Sequence, residues 1–242
     1  MDQQLDELAA DVVAIRNRAV VCDVVSAELG RTGRRLRSDD ARHEFRSPDP
    51  QGNGPTHHQL HGLATIATIG GELGRGATAL LREDNLYGAG ALIRQLVEVE
   101  FLAQGFASDH RVAVSWLAAG RRERAAFWHP HGGGRAVGNP PFAEDYDFHC
   151  DVGGFPTTKA VRLLPGPARM RPAEVWVDLA GHLDSTRQHV VVSIERWVTD
   201  AGTEAWRSAE VSQAIDEWRR TDGLLAGLRD VAAMRHRDTS LK

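Results

Sequence analysis

The sequence predicts an all-α protein: an antiparallel helical bundle of about six main helices, with a long irregular insertion between the fourth and the fifth. Three observations carry this expectation. Apolar residues recur at spacings of three and four through most of the 242 residues, the period of a helix face. No stretch alternates apolar with polar residues for long enough to make a strand. The Pro- and Gly-rich breakers gather in two places, residues 46–55 and 129–168, and leave long periodic runs on either side.

The first run carries Leu5, Leu8, Val12, Ile15, Val24, Val25 and Leu29, and reads as an amphipathic helix over 3–30 within an N-terminal region 1–45. SPDPQGNGP follows, and nothing in it can pack, so 46–55 reads as a flexible linker. The remaining residues, 56–242, read as the bundle proper. Thr56 is placed to cap a second helix carrying Leu60, Leu63, Ile66, Leu73, Ala77 and Leu80. Gly70 and Gly74 lie four apart on that helix. Each costs up to about 1 kcal/mol against Ala, so a close helix–helix approach is the expected return. Asp84 is placed to cap a third helix, apolar nearly all round, with Leu86, Ile93, Leu96, Val99, Ala103 and Phe106; such a helix is central in its bundle. Ser108 would cap a fourth, carrying Val112, Trp116, Ala119 and Phe127.

Regularity then lapses across 129–168. HPHGGGRAVGNPP can be neither helix nor central strand. FAEDYDFHC has room for a helical turn or two. Pro172 suits the first position of a fifth helix, whose stripe is Trp176, Leu179, Leu183, Val190, Ile194 and Trp197. VVVSI at 190–194 is β-branched, but it stays in register with that longer stripe. Val211, Ile215, Trp218, Leu225 and Leu228 make the last helix.

The formal net charge of −4 argues against a global field for nucleic acid. The two cysteines, Cys22 and Cys150, make no disulfide framework. With no signal peptide and no apolar run of membrane length, the expectation is a cytoplasmic protein with free thiols and no membrane partner. There is no P-loop, dinucleotide fingerprint or nucleophile elbow.

Four clusters could carry chemistry. His57 and His61 are i, i+4 and could meet one metal from one helix face, although spacing supplies no third ligand. His182 and His189, with Asp178 one turn before His182, resemble half of a bundle metal site. Glu-x-x-His pairs are absent, which argues against a di-iron carboxylate protein. Arg94 and Glu98 lie i, i+4 on the apolar third helix, with Glu100 close by; charges there must be paired, or must floor a pocket. The fourth cluster is DYDFHCDVGGFPTT, residues 145–158. One helical turn presents Tyr146 and His149 on one face, and the Asp residues around His149 could orient it or raise its pKa. Gly153-Gly154 lets the backbone come close to something. Cys150 and His149, as neighbours on a helix, point apart and make no dyad. Arg94, Glu98, Tyr146 and His149 are the candidate binding residues.

The central helix ALIRQLVEVEFLAQGFA and the later segment DYDFHCDVGGFPTT resemble a group of bacterial helical-bundle proteins tied to the HEPN superfamily and to abortive-infection proteins. The signature of HEPN ribonucleases is an Arg followed after four to six residues by a His, and Arg124 to His129 has that spacing. The residue after the Arg, polar in those enzymes, is Ala125 here. The resemblance implies metal-independent RNA cleavage in the cleft of a homodimer. His129 would be the general acid or base and Arg124 would stabilise phosphate charge. On this reading the protein is a HEPN-like bundle linked to defence or stress, binding or cleaving RNA with no metal or cofactor. A second reading is a non-enzymatic bundle that binds a partner protein or a small ligand through the loop at 129–158. A third is a metal-dependent bundle enzyme using His57, His61 and His149.

Overall fold

The computed structural model describes residues 2–38, 57–123, 140–154, 156–197 and 206–223. Every regular element among them is helical. The expectation of an all-α protein holds. Helix α1 spans Asp2–Arg37, α2 His57–Arg82, α3 Leu86–Ser108 and α4 Arg111–Ala118. Helix α5, Pro140–His149, runs directly into a π-helical turn, Cys150–Gly154, and a 3-10 helix follows at Thr158–Leu163. Helix α6 spans Pro172–Trp197 and α7 Ala209–Thr221.

Packing follows the apolar stripes, except early in α1, where Val12 is exposed. α1 lies on α2, α2 on α3, α3 on α6 and α6 back on α1, with α7 added against α1. Leu29, Leu63, Ile66, Ile93, Leu96, Leu179, Leu183 and Ile194 fill the shared core and are all fully buried. The whole expected stripe of α6 is inside, Trp176 to Trp197, including β-branched Val190 and Ile194. Helical register thus overrides local β-propensity there. No helix among the described residues is long and apolar enough to cross a membrane.

Several ends differ from expectation. α3 is capped by Asn85, whose side chain accepts the Gly88 N–H at 2.9 Å. Asp84 instead takes a positive φ of 58° in the turn, and Arg169 holds its carbonyl and carboxylate. Ser108 is the last residue of α3 and bonds back to the Gln104 carbonyl, while Asp109 accepts the Arg111 N–H at the start of α4. Pro172 does open α6, and Glu174 reaches back to the Arg171 N–H at 3.2 Å, which is half of a capping box. The expected irregular insertion contains α5, the π turn and the 3-10 helix. The linker 46–55, Thr56, Phe127, Leu225 and Leu228 lie outside the described residues.

Close helix approach does occur through glycine, but in a shifted pair. Gly70 makes only ordinary contacts, whereas a Cβ on Gly71 would come within 2.7 Å of the Ser26 carbonyl oxygen of α1. A Cβ on Gly74 would meet the Ser26 hydroxyl and the Leu183 side chain. The second close approach positions the candidate site. A Cβ on Gly153 would lie 2.6 Å from the carbonyl carbon and oxygen of Gly90, so the π turn sits directly on the backbone of α3.

Candidate metal centre

Asp145 and His149 are i, i+4 on α5, and Asp178 and His182 are i, i+4 on α6. That spacing puts each carboxylate one turn below its imidazole on the same helix face. The Gly153–Gly90 contact brings the end of α5 in over α3, and the two Asp-x-x-x-His faces meet. One ligand atom from each of the four residues lies within 4.8 Å of all the others. His149 and His182 are buried, with Asp145 and Asp178 half-buried beside them.

The two imidazoles turn the same atom inward. Nε2 of His149 faces Nε2 of His182 at 3.2 Å. His182 Nε2 lies 3.4 Å from Asp178 and 3.6 Å from Asp145. His149 Nε2 lies 3.6 Å from each of the same two carboxylates. Two ligands about 2.0–2.1 Å from one tetrahedral ion are separated by roughly 3.4 Å, so these spacings suit a single small cation between them.

The outer ring nitrogen of His182 is also held. Nδ1 donates to Glu100 on α3 at 2.6 Å, and Ser185 donates to the other Glu100 oxygen at 2.5 Å. A carboxylate on Nδ1 fixes the tautomer, orients the ring and raises the basicity of Nε2. Glu100 itself is buried.

The surrounding charges favour positive charge at the two imidazoles. Burial pulls His149 down, but Asp178 and the bonds from Asp145 and Asp178 outweigh it, with His182 opposing, and place it at about 9. Burial likewise acts against protonated His182, but Glu100 and Asp178 hold it well above the ordinary value. Asp178 is disfavoured as an anion by burial, yet the facing imidazoles keep it well below the usual carboxylate range. Carboxylates that raise both imidazoles make this point favourable to positive charge, and a divalent ion would take the place of a proton there.

Tyr146 does not share this face. It packs with Val97 and Phe101 in a small separate apolar cluster. Its hydroxyl donates to Glu98 at 3.1 Å, and Arg94 donates to Glu98 at 2.5 Å and to Tyr146 at 3.2 Å. Burial first, then the Glu98 charge, pushes the Tyr146 phenol up to about 12. Cys150 belongs with this cluster and bonds Arg94, which confirms that it and His149 point apart. So the candidate binding residues Arg94, Glu98, Tyr146 and His149 divide. Three form one network, and His149 belongs to another.

His61 is exposed on α2, and the side chain of His57 lies outside the described residues. Arg124 and His129 lie outside them as well. His189 is half-buried, is lowered by burial against the pull of Glu100, and is not one of the four. Asp145 and His182 thus join a set with His149 and Asp178 that no single helix spacing could assemble. The available signal was the repeated Asp-x-x-x-His spacing. It also occurs at Asp39–His43, so spacing alone does not say which pairs converge.

A cavity of about 680 Å³ opens beside the quartet, and Glu100, Asp145, Asp178 and His182 form part of its wall. No protein-family model matches the chain, and no curated protein or solved structure is similar to it.

Proposed function

We propose that this protein is a metal-dependent helical-bundle enzyme. It would bind one divalent transition-metal ion through Asp145, His149, Asp178 and His182 and act on a small molecule in the adjoining cavity. The single observation that carries the reading is the pair of Nε2 atoms 3.2 Å apart, flanked by two carboxylates. A hydrogen bond can join the two rings, but two imidazoles and two carboxylates gathered at one point also offer four donor atoms to a single cation.

The donor set has two imidazole nitrogens and two carboxylate oxygens, with no thiolate. It suits zinc, iron, cobalt or manganese better than copper(I), which prefers sulfur, or calcium, which prefers oxygen alone. Structural zinc sites are closed, whereas catalytic ones keep a position open to substrate. Four protein ligands fill a tetrahedron, so a substrate would enter as a fifth ligand or displace a carboxylate, from the cavity that three of the four ligands line. A bound ion there would polarise a substrate oxygen or lower the pKa of a bound water. Glu100 would hold His182 in place as a positioning residue.

The ribonuclease reading stands on Arg124 and His129 and remains a sequence-based proposal; the geometry favours the metal. The test is metal content by mass spectrometry on tag-free protein, for wild type and for His149→Ala and His182→Ala. Near-stoichiometric zinc, iron, cobalt or manganese in wild type, lost in both variants, is the expected result. Wild type that stays metal-free after dialysis against each of these ions sinks the proposal.

A further inference from the structure

We infer that the cavity takes a small organic oxyanion, a carboxylate or phosphate ester with an apolar body, whose oxyanion bridges the metal centre and Arg162. This rests on the metal reading above.

The argument is a census of charge around one cavity. Asp145 and Asp178 face the two imidazoles, and Glu100 is engaged by His182 and Ser185. Arg171, also on the wall, is paired with Glu174 at 3.0 Å. Arg162 differs. It lines the same cavity, and no carboxylate among the described residues forms an ion pair with it. Its guanidinium lies 5.8 Å from the ring centroid of Phe148. That ring in turn stands edge-on to His149 at 5.3 Å. Arg162 is exposed on this side of the wall, and its planar fork matches the oxygens of a carboxylate or phosphate.

The ligand sphere would be neutral, since two carboxylates balance a divalent ion. The Glu100 anion and the Arg162 cation then offset each other, but Glu100 already accepts from His182 and Ser185, so Arg162 is the charged group left to meet a guest. An oxyanion between an open metal position and Arg162 would meet both. The rest of the molecule would meet Phe148, Met170 and Val177, the apolar part of the wall. The volume lies within the ~300–1,000 Å³ of ordinary small-molecule sites.

The experiment uses the full chain loaded with cobalt(II), whose visible absorption reports its ligand set. Hexanoate, hexyl phosphate and the neutral amide hexanamide are titrated in turn. The expected result is a saturable spectral change with at least one anion and none with hexanamide at tenfold higher concentration. Arg162→Gln should keep the starting cobalt spectrum and weaken the anion by tenfold or more. The tighter of the two anions names the oxyanion class. A loaded site that ignores both anions, equal binding of hexanamide, or unchanged affinity in Arg162→Gln would each overturn the inference while the metal reading stands. No cobalt spectrum in wild type would overturn the metal reading and this inference together.

Discussion

Arg18 and His182 are both buried, and carboxylates hold both, yet their surroundings differ in kind. Arg18 donates to both oxygens of Asp222, at 2.6 and 2.8 Å, and to the Ala173 carbonyl at 3.0 Å. Trp218 adds a third bond to Asp222 at 2.7 Å. Every contact there joins opposite partners, and the clamp ties α1, the start of α6 and the end of α7 together. At His182 like atoms converge instead, nitrogen on nitrogen, and a cavity opens beside them. The difference teaches how to tell two kinds of buried charge apart. A cluster closed by its own counter-charges holds the fold. A cluster whose like donors converge at the edge of a cavity has room for a guest.

The largest effect should come from breaking the closed cluster. Asp222→Ala leaves Arg18 buried without its partner and should cost about 3–5 kcal/mol in urea unfolding. Arg18→Met with Asp222→Leu should recover most of that loss. A single-variant cost under about 1 kcal/mol would remove the contrast.

Next comes the open cluster. Zinc, iron, cobalt or manganese at a hundred times its dissociation constant should stabilise wild type by about 2.7 kcal/mol. The same ion should do nothing for the His149→Ala, His182→Ala double variant. Equal stabilisation of both proteins would place the ion elsewhere.

Glu100→Gln tests the support beneath His182. Metal affinity should fall about 10–100-fold, read by competition with a chelating dye, because the Nδ1 partner is weakened while the ligands remain. Unchanged affinity would reduce Glu100 to a packing role. The smallest effect belongs to Tyr146→Phe. It should cost about 0.5–1.5 kcal/mol by denaturation and leave metal affinity untouched, since its hydroxyl serves Glu98 and Arg94. A shift in metal affinity would join the two networks that the structure keeps apart.

Much of the scaffold was legible in the sequence because apolar periodicity over a long run is a local signal. The stripe from Trp176 to Trp197 could be placed without any knowledge of its neighbours. Helix ends were harder, since Asp84 and Asn85 are both good caps and only the turn geometry chooses between them. The candidate site was half legible. His149 stood out among its carboxylates, and Asp178 stood one turn before His182. Their meeting is a matter of tertiary packing between residues 33 positions apart, and no spacing rule carries that. Tyr146 parts from the His149 face for a related reason. Residues three apart on a helix subtend an arc wide enough for different neighbours to claim each one, here Phe101 for the first and His182 for the second.

The contact between Gly90 and Gly153 has an unequal genetic consequence. A side chain on Gly90 would run into the end of Leu163, so trimming Leu163 offers a second-site rescue. A side chain on Gly153 would run into the carbonyl group of Gly90, and no substitution removes a main-chain carbonyl. Of two glycines that touch, one can drift along with a compensating partner. The other can change only by moving the backbone that carries His149.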